Sequence, residues 1–198
     1  MLMKTISEEL KTLSNCKVFD KRDYKYVVLP LDYECNYDQM MLYSSELKNA
    51  IIRNVDIDQI DKIMTIESKG ILISTLVAYE LQKPLNIVRK RKLNLKGEKS
   101  VVKKTGYGSS TIYINGIEEG DKIILVDDLV STGGTLKTTI NALWELGCKI
   151  LGIVILFDKV EFGGSKYIKS KFSEQLNIPF ESIFKIKIDD DNTLSVSL

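Results

Sequence analysis

The sequence predicts an α/β protein, a central parallel sheet flanked by helices, and three observations carry that prediction. Apolar runs of strand length at residues 60–66, 85–89, 122–126 and 150–157 alternate with helical patterns of ten residues or more. Such alternation needs right-handed crossovers between parallel strands. The run Ile123–Val126 is apolar without interruption, as befits a strand covered on both faces. Finally, 198 residues with 44% hydrophobic and 28% charged content are enough for one globular domain with a sizeable core.

Taken in order, residues 1–13 read as an amphipathic helix with Leu2, Ile6, Leu10 and Leu13 on one face. Lys4, Glu8, Glu9 and Lys11 interrupt its apolar character, so no signal peptide is expected. Residues 24–31 alternate into a short strand closed by Pro30, and residues 38–53 are helical. A strand at 60–66 leads straight into a helix at 70–81, and Pro84 precedes a strand at 85–89. Residues 94–120 are poor in core residues, rich in Lys and Gly, and hold a β-like stretch, Ser110 to Ile114. A strand at 122–126, a helix at 135–146 and a strand at 150–157 follow. Gly163-Gly164 opens a helix to about residue 176, and a strand at 183–188 comes last. Asp189-Asp190-Asp191 read as a solvated tail, and no internal repeat is visible.

Composition excludes several function classes. The chain has no histidine, which removes His-based triads, His–metal catalysis and most pH switches. Cys16, Cys35 and Cys148 lack any C-x-x-C spacing, so neither a disulfide framework nor a zinc site is expected. A net charge of +1 gives no global reason to expect nucleic acid or membrane as partner. No apolar run approaches the ~20 residues that span a bilayer. A reduced cytoplasm is the expected setting.

Ligands of parallel sheets gather beyond the C-terminal ends of the strands, and three polar clusters fall there. Residues 123–136 read Ile-Ile-Leu-Val-Asp-Asp-Leu-Val-Ser-Thr-Gly-Gly-Thr-Leu. Asp127 and Asp128 stand where the strand is expected to end, and Ser131, Thr132, Gly133, Gly134 and Thr135 open the next helix. Helix-terminal amides and the helix dipole favour an anion there, glycines allow close approach, and hydroxyls add donors. The two carboxylates can accept from neighbouring hydroxyls, so the loop reads as a ribose-5-phosphate cradle. It is neither a Walker loop, lacking Gly-Lys-Ser/Thr, nor a Gly-x-Gly-x-x-Gly fingerprint. The second cluster, Glu67-Ser68-Lys69-Gly70, opens the preceding helix and offers amides and one ammonium to a second phosphate group. The third is basic density: residues 89–104 hold eight Lys or Arg and a single acid, Glu98. A solvated loop and a nucleic-acid surface are the alternatives, but aromatic interleaving is sparse and the rest of the chain is balanced. A small polyphosphate fits better.

Together these residues resemble the phosphoribosyl-pyrophosphate (PRPP) motif of type I phosphoribosyltransferases. The resemblance implies that fold as one domain over residues 1–198. It adds a small hood, from about 15–35 and the C-terminal part, and a flexible lid at about 93–114. Glu67-Ser68-Lys69-Gly70 is similar to the Glu-Ser-Arg-Gly of adenine enzymes. Arg89-Lys90, with Lys92-Leu93 and Lys96-Gly97-Glu98, is similar to their Arg-Lys-x-x-Lys-Leu-Pro-Gly-Glu. The implied PRPP ligands are Asp127, Asp128, Ser131 to Thr135, Glu67, Ser68, Lys69, Gly70, Arg89 and Lys90. The implied catalytic residues are Asp127, Asp128 and Tyr107 of the lid. Tyr26, Val27, Val28, Val130, Phe157 and Asp158 would line the base pocket. Mg²⁺ would ride on PRPP without direct protein ligands. The lid departs from the adenine family: Lys103 and Lys104 precede Thr105 where acids are common, leaving Glu98 as a poor general-acid candidate.

The implied reaction is adenine plus PRPP giving AMP and pyrophosphate. The alternative is a hypoxanthine/guanine enzyme of the archaeal type, which Thr105-Gly-Tyr, Tyr113-Ile-Asn-Gly-Ile and Gly120-Asp-Lys resemble at least as well. A PRPP-sensing transcriptional regulator would need an added DNA-binding domain, for which the chain has little room. A homodimer is implied, with no nucleic-acid or membrane partner.

Overall fold

The computed structural model describes residues 4–21, 24–105, 108–189 and 191–198. Helix α1 (Ile6–Ser14) begins where Thr5 and Glu8 cap it. The Thr5 amide donates to Glu8 Oε2 at 2.8 Å, and the Glu8 amide to Thr5 Oγ1 at 3.3 Å. The strand expected at 24–31 is shorter and paired: β1 (Val18–Lys21) runs antiparallel to β2 (Tyr24–Val27). Pro30 starts a one-turn helix, α2 (Pro30–Tyr33), where a fixed φ suits the first helical position. Helix α3 (Tyr37–Asn54), capped by Asn36 and Gln39, then leads to β3 (Lys62–Ile66), α4 (Gly70–Leu81) and β4 (Leu85–Val88).

The Lys-rich stretch forms an antiparallel pair of its own, β5 (Lys99–Thr105) with β6 (Gly108–Ile114). Reciprocal backbone hydrogen bonds between Arg89 and Tyr113 tie it to the end of β4. Strand β7 (Lys122–Val130), α5 (Gly134–Glu145) and β8 (Lys149–Lys159) complete the second crossover. Helix α6 (Gly164–Ile168) continues through a π-helical turn, Lys169–Ser173, to a last turn ending at Leu176. Strand β9 (Phe180–Ile188) and β10 (Leu194–Ser197) close the chain.

The main sheet has the order β10-β9-β8-β7-β3-β4. All neighbours are parallel except the β10 edge. Successive residues of β7 point to opposite faces. Ile124 and Val126 pack with Tyr43, Leu47, Ile73 and Val77 of α3 and α4, whereas Ile123 and Leu125 pack with Leu136, Ile140 and Phe172 on the other side. Two boundaries differ from expectation. β7 runs four residues past Val126, because β8 keeps pairing with it as far as Val130 and Asp158. The acidic terminus is a turn rather than a tail: the Asp189 amide donates to Thr193 O, Asp191 Oδ1 accepts from the Thr193 amide, and β10 returns along β9. Among the described residues no helix is long and apolar enough to cross a membrane.

Candidate active site

Two strand–loop–helix units stand side by side at the C-terminal edge of the sheet. Ser74 Oγ donates to Val126 O at 3.2 Å, pinning α4 against β7. The first residue of α4 must then be glycine. A Cβ on Gly70 would overlap Asp127 Oδ1 and lie 2.5 Å from Thr65 Oγ1. Asp127 Oδ1 accepts the Asp128 amide at 3.0 Å, and the Glu67–Ser68 peptide is cis. Burial first, and the Asp128 charge second, push the Asp127 carboxyl well above the usual carboxylate range. Burial also raises Asp128, against the pull of Lys69, whose Nζ lies 3.8 Å from Asp128 Oδ2.

The phosphate loop lies one strand over. Gly133 adopts φ +74° at the N-cap of α5, a left-handed conformation that glycine takes without penalty. Its carbonyl accepts the Lys137 amide at 2.8 Å, leaving the amides at the helix start outside the intrahelical ladder. Asp127, Ser131, Thr132, Gly133, Gly134 and Thr135 line a pocket of about 150 Å³ together with Leu129, Val130 and Leu136. Gly164 supports it from behind. The Gly164 amide donates to Ser131 O at 2.9 Å, and a Cβ there would overlap that oxygen and lie 2.6 Å from Gly133 N.

Glu67 braces the basic cluster. Its Oε1 accepts the Lys90 amide at 2.6 Å, and Arg89 reaches its Oε2 at 3.4 Å. Glu98 has a comparable task in the loop before β5. It accepts from the amides of Leu93 (2.9 Å) and Asn94 (3.0 Å) and from Asn115 Nδ2 (3.1 Å). Desolvation works against it, yet these donors hold its carboxyl below the usual range. A carboxylate kept ionised this way is a poor general acid. Tyr107 lies outside the described residues.

The base-pocket expectations divide. The side chains of Val27 and Phe157 belong to the α3/α4 core, with Phe157 packed edge-on to Tyr43, and Val130 belongs to the α5/α6 core. All three are buried, and Val130 also lines the pocket of Asp127 and Ser131. Val28 lines a separate cavity of about 580 Å³ with Cys16, Phe19 and Tyr33. Asp158 is buried, with Oδ2 at 3.5 Å from Ser182 Oγ and Oδ1 without a hydrogen-bond partner among the described residues. Tyr26 does face the crevice. Its hydroxyl donates to Asp32 Oδ1 at 2.6 Å, and Asp32 Oδ1 also binds Lys69 Nζ at 2.8 Å.

Sequence reasoning missed three residues here. Lys159 is buried, with Nζ 5.5 Å from the centre of the Tyr26 ring, and desolvation lowers its pKa. Asp32 joins Tyr26 to Lys69, and Gly164 supports the phosphate loop. Lys159 carried a readable signal, a cation at the C-terminal end of a buried strand. Asp32 and Gly164 carried none, because both act across long separations. No group of three or more His, Cys, Asp or Glu is gathered among the described residues. Asp127 and Asp128 offer hard oxygen donors to a cation whose other ligands come from elsewhere.

Residues 42–192 match the family model of the phosphoribosyl transferase domain. A hypoxanthine/guanine phosphoribosyltransferase of Methanohalobium evestigatum is 40% identical over 181 residues, 91% of this chain and 90% of its own length. That of Methanobrevibacter ruminantium is 35% identical over 195 residues, covering 96% and 97%. Among solved structures, an adenine phosphoribosyltransferase from Thermoanaerobacter pseudethanolicus superposes with a TM-score of 0.72 at 22% identity, covering 90% of this chain and 98% of its own. That likeness is one of fold. The chain belongs to the type I phosphoribosyltransferases, in their purine branch.

Proposed function

We propose that the chain transfers phosphoribose from PRPP to a 6-oxopurine, hypoxanthine or guanine, giving the nucleoside monophosphate and pyrophosphate. The carrying observation is Lys159. An ammonium can only donate, which suits a 6-oxo acceptor and opposes the 6-amino donor of adenine. The hypoxanthine/guanine relatives support the same reading. In this assignment Ser131 to Thr135 and the α5 amides hold the 5′-phosphate, while Asp127 and Asp128 accept from the ribose hydroxyls. Lys69, Arg89 and Lys90 counter the pyrophosphate charge. Mg²⁺ bound to the substrate would neutralise more of that charge.

The purine N9 attacks C1′ as the C1′–O bond to pyrophosphate breaks, with inversion, and the proton the base loses passes to the departing pyrophosphate. Little of this requires a protein acid, so catalysis is positioning and charge stabilisation. Residues 93–114, with Tyr107, serve as a lid that keeps water from the electron-poor ribose centre. The adenine reading rests on Glu67-Ser68-Lys69-Gly70, on Arg89-Lys90 with Lys92-Leu93, and on Asp127-Asp128-Leu129, motifs assigned here to PRPP rather than to the base.

Incubation with Mg-PRPP and each of adenine, hypoxanthine, guanine and xanthine tests the assignment. IMP and GMP are the expected products. AMP alone would return the chain to the adenine enzymes, and PRPP binding without any product would indicate a regulator.

A further inference from the structure

Asp32 links Lys69 to Tyr26. It stands on α2, and its carboxylate accepts from three donors. Oδ2 accepts the Leu29 amide at 2.8 Å, fixing the group to the start of its own helix. Oδ1 is shared between Lys69 Nζ at 2.8 Å and the Tyr26 hydroxyl at 2.6 Å. Lys69 therefore sits on Asp32, a full ångström nearer than to Asp128. Over the Tyr26 ring, 5.5 Å from its centre, lies the buried Lys159 ammonium.

We propose that Asp32 is a positioning residue that couples the pyrophosphate subsite, through Lys69, to the purine subsite, through Tyr26 and Lys159. The inference rests on the reading of Lys69 as a pyrophosphate ligand and Lys159 as a base ligand.

The physical argument is one of charge compensation. In the resting protein Asp32 neutralises Lys69. A pyrophosphate group arriving at Lys69 takes over that neutralisation and leaves Asp32 short of a cation. The Asp32 side chain is only 12% exposed, so water cannot fully make up the difference. Lys159, across Tyr26, is a buried cation that feels both Asp32 and Lys69, beside the stronger influence of Glu161. Two influences on Lys159 change together: repulsion from Lys69 is cancelled, and attraction to Asp32 is unmasked. Both favour the charged, donating form of a lysine that burial otherwise discourages. A purine oxygen is then held better once pyrophosphate is in place. By linkage, a bound nucleotide strengthens pyrophosphate binding by the same factor.

Titration calorimetry with IMP, in the presence and absence of saturating Mg-pyrophosphate, measures this coupling as a ratio of two dissociation constants. The wild type is expected to bind IMP at least about 5-fold tighter with pyrophosphate, the lower end of usual coupling factors. Asp32→Asn is expected to bring the ratio to within about 2-fold of one, and Asp32→Glu to restore part of it. Tyr26→Phe keeps the ring, removes only the hydroxyl and should lower the ratio too, which covers an Asp32→Asn protein that fails to fold. A merely structural role for Asp32 would weaken both ligands and leave the ratio unmoved. A wild-type ratio of one, or equal ratios in wild type and variants, would overturn the coupling while leaving the transferase reading intact. A wild type that binds no IMP would overturn that reading and the coupling with it.

Discussion

At the end of β7 the chain places a carboxylate where folding alone would not. Asp127 is half-buried beside Asp128, and burial and like charge raise its pKa. An unperturbed aspartate titrates near about 3.9, so the folded state binds this proton more tightly than the unfolded chain does. The stability the site contributes is therefore complete below about pH 4 and is lost as pH rises through the higher folded value. Asp127→Asn keeps an acceptor for the Asp128 amide and removes the charge. The variant should melt higher than wild type at pH 7, by about 2–4 °C for each ~1 kcal/mol relieved in a chain of this size. The gain should shrink toward pH 4. Phosphoribosyl transfer by the same variant should fall by about 100-fold or more if the group holds the ribose hydroxyls as proposed. Melting curves at the two pH values and a turnover assay check both halves. A gain in melting temperature that does not vary with pH would mean that Asp127 is not the strained group.

Two elements, the phosphate loop and the start of α6, touch backbone to backbone, so their contact has almost no give. Gly164 has no positive φ, and alanine would suit its backbone. The obstacle is the Cβ, which meets Ser131 O and Gly133 N, neither of them the flexible end of a side chain. Gly164→Ala should cost about 1–3 kcal/mol, as overpacking does, and displace the loop proposed to anchor the 5′-phosphate. An anchor remote from the breaking bond binds ground state and transition state alike. Its loss should raise KM for PRPP by about tenfold, worth ~1.4 kcal/mol, with kcat nearly unchanged. Steady-state kinetics decide it, since a fall in kcat alone would place the loop in the chemical step. The two units β3–α4 and β7–α5 were legible in the sequence because each is local: an apolar run, a polar turn, a helix. What acts at long range was not. Gly164 lies 33 residues from Ser131, Asp32 lies 37 from Lys69, and the last four residues of β7 depend on β8. Periodicity finds the strands that carry Phe157 and Val130 but does not say which of their side chains meets a ligand. β10 hid behind an acidic stretch that is a turn only because β9 is there to receive it.

The molecule as a whole carries its crevice on pieces drawn from most of its length: Asp32 on α2, Lys69 at the start of α4, Asp128 on β7, Lys159 at the end of β8. Only the backbone joins these pieces, and their mutual placement depends on the two cores on either side of the sheet. A ligand that touches several of them at once binds only the folded chain, so it stabilises the fold by mass action. Mg-PRPP at about 100 times its dissociation constant should contribute about 2.7 kcal/mol, or roughly 5–11 °C at the sensitivity of a chain this size. Chelating the divalent ion should remove most of that shift, because the pyrophosphate charge would then fall on Lys69, Arg89 and Lys90 alone. Hypoxanthine without PRPP should give little if, as proposed, the base meets mainly Tyr26 and Lys159. Hypoxanthine added with Mg-pyrophosphate should give more than the sum of the two separate shifts, because a neutralised Lys69 improves the donor that the base meets. A thermal melt with each ligand alone and in pairs separates these cases. Strictly additive shifts would show that the two halves of the crevice are independent, and a full shift from PRPP without metal would show that the chain's own cations suffice.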